Sequence, residues 1–247
     1  MATGGGGMSW LTDALSFLLD GENWRGSFGL GRQAVDHLGL ASLSLLLAVV
    51  VAVPLGLWLG HTGRGGALAI NIANIGRAVP TFAVLVIFVL VGPPLGDSTT
   101  SFVLALALFS IPPLLTNTYT GMREVDRAAV DAARGLGMSP LQQVLRVELP
   151  LATPLLMVGV RIAAVQVVAT ATVVGLVSTT ALGAGIRAGV ATRDQPQVVA
   201  GAVLVAAVAL LVELLLGLLQ RRLARRPSSR RAVPEDAAPQ AAATPAG

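Results

Sequence analysis

The chain contains no cysteine and no lysine, and little charge or aromatic surface. Without cysteine there are no disulfides and no thiolate metal sites. Only 12% of the 247 residues are charged, about half of what a soluble domain carries. That is too little polar surface to cover a water-soluble globule. Aromatic residues make up 4%, a poor supply of stacking platforms for single-stranded nucleic acid. The two histidines, His37 and His61, lie far apart and near the ends of apolar segments. Interfacial or solvated roles are expected for them rather than metal ligation. No nucleophile–base pair, metal cluster or His-Glu motif stands out, which argues against an intramembrane enzyme. No internal repeat points to the duplicated halves of a secondary transporter.

What remains is apolar: 54% hydrophobic residues and a mean hydropathy of +0.75. Five segments are long enough to span about 30 Å of hydrocarbon. They are about 38–60, 67–92, 102–119, 151–177 and 198–219. Residues 1–36 form a mixed lead-in with a glycine run and no basic, then apolar, leader pattern. Trp10, Leu11, Leu15, Phe17, Leu18 and Trp24 fit either a short amphipathic segment at the membrane surface or a partly ordered approach. Residues 220–247, rich in Arg, Pro and Ala, read as a disordered tail that could meet anionic lipid.

All seventeen basic residues are arginine. If the 119–150 loop is cytoplasmic, that side holds Arg64, Arg123, Arg127, Arg134, Arg146 and the six tail arginines. The opposite side holds Arg25, Arg32, Arg187 and Arg193. This bias predicts N-terminus out and C-terminus in. Pro54, Pro80, Pro112, Pro113 and Pro154 interrupt the spans, which lipid tolerates only where protein or a water cavity covers the broken backbone.

Within the spans, Arg77, Arg161 and Glu213 are costly to bury and are expected to face the bundle interior. Arg77 and Arg161 lie about ten residues in, roughly 15 Å deep. A structural pair of Glu213 with Arg161 or Arg77 is favoured over a substrate contact. Asn71, Asn74, Thr81, Ser110, Asn117, Gln166, Thr170 and Thr172 could line a polar path or bond between helices. Thr81, Asn117 and Gln166 are the choices for the path.

The polar stretch 124–150 carries the sharpest local signals. Glu124 to Leu136 reads as a helix with Glu124 and Asp126 in its first turn and Arg134 in its last. An Arg127–Asp131 pair is expected on its surface. Ala128, Ala129, Ala132 and Ala133 leave that surface bare, and Gly137 is a natural stop. Ser139, Pro140 and Gln142 then form a capping box at the start of a second helix. That helix runs to Leu149-Pro150 at the entry to the fourth span. Two short helices at an angle would make a rigid knob.

Asp131-Ala132-Ala133, Gly137 and Leu149-Pro150 together resemble the EAA loop of importer-type ABC permeases, with Asp131 where the family usually has Glu. The resemblance extends to Arg77-Ala78-Val79-Pro80-Thr81-Phe82, to Asn117-Thr118-Tyr119-Thr120-Gly121, to Val147-Glu148-Leu149-Pro150-Leu151-Ala152 and to Gly159-Val160-Arg161. These pieces are similar to permeases of the glycine betaine, carnitine and choline type. Thr116 stands where that family usually has Arg. The stretch Ser178–Ile186 matches its glycine-rich turn only in part.

The resemblance implies an all-α integral membrane protein of the MetI-like type I importer fold, with five, or at most six, membrane helices. The permease domain would cover 37–219, with its coupling loop at 119–150. The chain would sit as a multi-pass protein in a bacterial plasma membrane and catalyse nothing itself. A cytoplasmic ABC ATPase dimer would hold ATP and magnesium and dock on Asp131, Ala132, Ala133, Gly137, Leu149 and Pro150. A second permease subunit would complete the pore. With no soluble extension, solute would come from a separate binding protein. The solutes implied are glycine betaine, choline, carnitine and proline betaine. The alternative is another small solute such as methionine, a phosphonate or an alkyl sulfonate.

Overall fold

The computed structural model describes residues 9–77, 80–91 and 98–224. The order is α1 (Ser9–Leu19), a 3-10 turn (Gly21–Trp24), α2 (Leu30–Thr62), α3 (Gly66–Arg77), α4 (Thr81–Leu90) and α5 (Ser98–Arg123). Then come α6 (Arg127–Gly135), α7 (Pro140–Gln143), a π turn (Val144–Glu148), α8 (Leu149–Val177), α9 (Gly183–Thr192) and α10 (Gln195–Ala224). The described residues are helical with no strand.

Among the described residues four stretches are long and apolar enough to cross a bilayer: Leu30–Thr62, Thr99–Arg123, Pro140–Val177 and Gln195–Leu223. The second expected span, 67–92, is not one continuous helix. It is divided into α3 and α4 around an extended Pro80. Proline lacks the amide hydrogen and pushes the residue before it out of the helical region.

α5 is the central helix: 67% of its apolar stretch is buried, against 0% for α10. It packs on α2 on one side and α8 on the other. Small residues set both contacts. A Cβ on Gly56 would approach Thr118 Cβ to 2.8 Å, and one on Gly60 would strike the Met122 side chain. Gly56 and Gly60, four apart, therefore seat α5 against α2, the small-xxx-small solution to packing without a hydrophobic driving force. On the other side Gly159 fits against Asn117 and the Pro113 carbonyl.

One proline interruption is repaired by a neighbouring helix. Pro113 cannot donate to the Phe109 carbonyl four residues back, and the Gln166 Nε2 of α8 donates to that carbonyl at 3.2 Å. A neighbouring helix thus supplies the missing partner. Outward rows such as Leu43, Leu46 and Val50 on α2, and Leu210, Leu211 and Leu214 on α10, stay exposed. So much apolar surface suits lipid or a partner subunit and not water.

Several boundaries differ from expectation. α2 starts at Leu30, inside the expected lead-in, because no breaker follows Gly29. His37 therefore lies well inside a packed helix. It is fully buried, with Nε2 3.0 Å from the Val168 carbonyl, and therefore not solvated. Part of the lead-in is helical, over Ser9–Leu19. Trp24 Nε1 and Asn23 Nδ2 donate to the Leu18 and Phe17 carbonyls, closing the end of α1. Trp10, Leu15 and Leu19 on α1 are exposed. α10 continues to Ala224, so the first residues of the expected tail are helical. The rest of that tail lies outside the described residues.

Candidate coupling segment and intramembrane polar groups

The first helix of the polar segment begins later than expected. Asp126 is its N-cap, with the carboxylate accepting the Ala128 N–H at 2.9 Å. Glu124 and Asp126 thus precede α6 instead of forming its first turn. The cap competes successfully with a helical start, as short acidic side chains do. The expected Arg127–Asp131 pair does not form. Asp131 pairs with Arg134 at 3.4 Å, and both are largely exposed.

α6 ends in a Schellman motif. Met138 N–H donates to the Ala133 carbonyl at 3.2 Å and Gly137 N–H to that of Arg134 at 3.0 Å. Gly137 takes φ +77°, which a side chain would resist. The capping box follows: Ser139 N–H donates to Gln142 Oε1 at 2.9 Å, and Gln142 N–H to Ser139 Oγ at 3.4 Å. Pro140 occupies the first turn of α7.

The second helix does not stop at Leu149-Pro150. It runs through the π turn into α8. A proline ring collides with the carbonyl four residues back in a regular helix, and the widened turn just before Pro150 relieves this.

Of the residues proposed for docking, Asp131, Ala132 and Gly137 are exposed on the knob and Leu149 and Pro150 are half-buried. Ala133 is buried. It belongs to the inner face, beside Val130, so the bare alanine face is smaller than expected. Leu136, Leu141 and Leu145 add an exposed apolar rim that the alanine pattern did not suggest.

The knob is seated on the membrane bundle by one apolar cluster. Met122, Val125, Val130 and Ala152 are its buried members, with Leu57 and Val144 against them. α2, α5, α6 and α8 all contribute. Beside it, His61 Nδ1 lies 2.8 Å from Glu148 Oε2. Glu148 stood in a quoted motif without a role, and nothing local in the sequence ties it to a histidine eighty-seven positions away.

Deeper in, Arg161 bridges α8 and α10. Its Nη2 donates to Glu213, and its Nη1 to Gln220 Oε1 at 2.7 Å. Gln220 Nε2 in turn donates to the Pro154 carbonyl at 3.3 Å. Glu213, Gly217 and Gln220 share one face of α10, and Gly217 leaves room for the guanidinium. The pair is about one-third exposed, at 32% and 37%. It borders an open pocket of about 460 Å³ with Val158, Ile162, Val165 and Gln166.

Arg77 closes α3 and Thr81 opens α4, and both side chains lie outside the described part of the structure. Asn117 Nδ2 turns back to its own helix at the Pro113 carbonyl, 2.8 Å away. Arg161, Gln166 and Glu213 therefore come together, whereas Asn117 faces the α5–α8 contact. Among the described residues no group of three His, Asp or Glu could hold a metal ion.

At the far end of α8, the chain turns back at 178–183. Gly175 and Gly183 touch backbone to backbone, and neither has room for a Cβ. Ala181 holds φ +71°. The first turn of α9 has a distant partner: Gln33 Oε1 accepts the Gly185 N–H at 3.0 Å, and Gln33 Nε2 donates to the Phe28 carbonyl at 2.7 Å.

Residues 52–228 match the family described as binding-protein-dependent transport system inner membrane component. The chain belongs to this family. The permease is thus a transport component of the inner membrane and not an enzyme, and its family works with a binding protein and an ATPase. It is 34% identical over 188 residues to the choline transport system permease protein OpuBB of Bacillus subtilis, covering 76% of this chain and 85% of that protein. It is 34% identical over 212 residues to the carnitine transport permease protein OpuCD of Listeria monocytogenes, covering 85% and 93%. Identity is also 34% over 189 residues to the osmoprotectant import permease protein OsmY of Salmonella typhimurium, covering 76% and 79%. In fold it resembles the inward-facing MetNI methionine ABC transporter, with a TM-score of 0.70 at 22% identity over 79% of this chain and 96% of that one.

Proposed function

We propose that the permease is the membrane channel subunit of an ATP-driven importer for compatible solutes: glycine betaine, choline, carnitine and proline betaine. The observation that carries this is 34% identity to permeases named for choline and carnitine, over at least 85% of their length. The methionine transporter shares the fold at 22% identity, which supports no common solute.

In this reading the knob of α6 and α7 receives an ATPase dimer that binds ATP and magnesium. Asp131, Ala132 and Gly137 lie at the contact, with Leu149 and Pro150 at its root and Ala133 holding its inner face. Closure of the ATPases rocks the knob as a rigid body and opens the pore outward, and a separate binding protein delivers the solute. A second permease subunit completes the path. α3 and α4 together make one broken crossing, giving five spans with the N-terminus out and the C-terminus in. The arginine bias favours that orientation. The lead-in lies at the outer membrane surface, and the arginine tail meets the inner one. Arg161 and Glu213 fix α8 against α10, while Arg77, Thr81, Asn117 and Gln166 are assigned to the polar interior.

The test is uptake of labelled glycine betaine, choline and carnitine at high osmolarity, with methionine as the control. A deletion strain without a redundant importer is compared with complements carrying the wild-type gene or Gly137→Asp. Loss of betaine-type uptake in the deletion and in Gly137→Asp, with the variant present in the membrane, is expected. Unchanged uptake of all three solutes in the deletion would remove the osmoprotectant assignment. Glu213→Gln should reduce assembly or transport. If it changes neither, the α8–α10 ion pair has no structural role.

A further inference from the structure

Glu148 is the last residue before Leu149-Pro150, and its carboxyl group lies in a place that offers it little water. Its side chain is 3% exposed. It lies at the end of the π turn, at the joint where the polar knob becomes a membrane helix. A carboxylate in such a place requires a partner. Among the described residues its side-chain partner is His61, 2.8 Å away and 21% exposed. An ionised carboxylate only accepts, so Nδ1 of the imidazole carries the proton on the line between them.

His61 sits in the last turn of α2. That end of α2 packs closely on α5. Gly60 packs on Met122, and a Cβ on Gly63 would come within 2.9 Å of Arg123 Nη1. The His61–Glu148 contact therefore ties the joint of the knob to a helix packed onto α5. A push on the knob reaches α8 directly through the continuous chain. It reaches α2 through α5, through the apolar cluster, which can slide, and through the His61–Glu148 bond, which cannot slide without breaking.

We propose that His61 and Glu148 are positioning residues of the coupling mechanism: their bond makes α2 and α8 move together when the knob is displaced. This rests on the reading of the knob as the ATPase docking site. It predicts that the bond governs how much solute moves per ATP, separately from how well the complex assembles.

The experiment uses the full importer, with its ATPase and binding protein, in proteoliposomes. Solute uptake and ATP hydrolysis are measured on the same samples. His61→Phe keeps the ring and removes the donor. His61→Asn places an amide N–H where Nδ1 stood. The double variant His61→Phe/Glu148→Leu removes both partners and leaves no buried charge. Gly137→Asp serves as the docking control.

In His61→Phe and in the double variant, uptake per ATP should fall at least about fivefold, the lower end of ordinary coupling energies. The double variant should assemble like the wild type, and His61→Asn should restore the wild-type ratio. Restoration of the ratio in the double variant would show that only the stranded carboxylate mattered, and the proposal would fail. An unchanged ratio in His61→Phe would overturn it as well. If Gly137→Asp retains the ATPase and full uptake, the docking reading itself is wrong, and the tie falls with it.

Discussion

At each end of α2 a side chain reaches a distant element, with different chemistry. At one end Gln33 holds the first turn of α9 through a backbone N–H. At the other, His61 holds the root of the knob through a buried carboxylate. A neutral amide on a backbone group contributes a modest, charge-independent link. A buried carboxylate is different, because losing its partner leaves a desolvated charge. The Gln33 end is therefore expected to yield in small steps, and the His61 end to be all or nothing.

The largest effect should come from His61→Phe, which strands Glu148 and should cost about 3 kcal/mol. A lowered thermal midpoint in nanodiscs is the readout. The double variant with Glu148→Leu should recover most of it, since matched apolar replacement of both partners is nearly neutral. Failure to recover would place the cost in packing and erase the contrast between the two ends.

Next is Gly60→Val, which forces branched carbons onto the Met122 side chain and should cost about 1–3 kcal/mol by overpacking. The same assay reads it. If it is silent, His61 alone holds that end, which sharpens the comparison.

Gln33→Ala should cost about 1–2 kcal/mol by leaving a buried Gly185 N–H without its acceptor. Faster hydrogen exchange confined to the first turn of α9, with the coupling segment unaffected, is the expected pattern. Exchange spreading to Glu148 would mean that the two ends are not independent.

The smallest effects are a pair of opposite sign. Gly137 and Ala181 hold similar positive φ angles, +77° and +71°. Gly137→Ala should destabilise by about 1 kcal/mol, whereas Ala181→Gly should stabilise by up to about 1 kcal/mol. Equal signs in the thermal midpoints would show that local backbone strain does not decide stability at either turn.

The helices α2, α5, α8 and α10 were legible from apolar run length, because a bilayer demands about twenty residues in a row. The capping box and the Gly137 stop were also legible, since they are local chemistry within four residues. The start of α6 was misplaced because Asp126 serves equally well as a first-turn acid and as a cap. The interruption of the second expected span at Pro80 was also legible, because proline lacks the amide hydrogen that a continuing helix needs.

Charge and solvation behaved differently. The pairing of Arg161 with Glu213 was open to guesswork, since few partners exist at that depth. Gln220 as a third member was hidden at the head of an apparent tail. His37 looked solvated only because its helix was thought to start later.

From the sequence alone came the membrane class, the presence of four long apolar helices and the local cap and stop of the knob. Each depends on neighbours along the chain. Only the tertiary structure decided that α5 is central, that Gln166 serves the carbonyl freed by Pro113, and that His61 meets Glu148. Those facts depend on which helix faces lie together. Helix faces are chosen by close packing of glycines against bulky residues far away in the chain, a matter of shape that composition and periodicity do not encode.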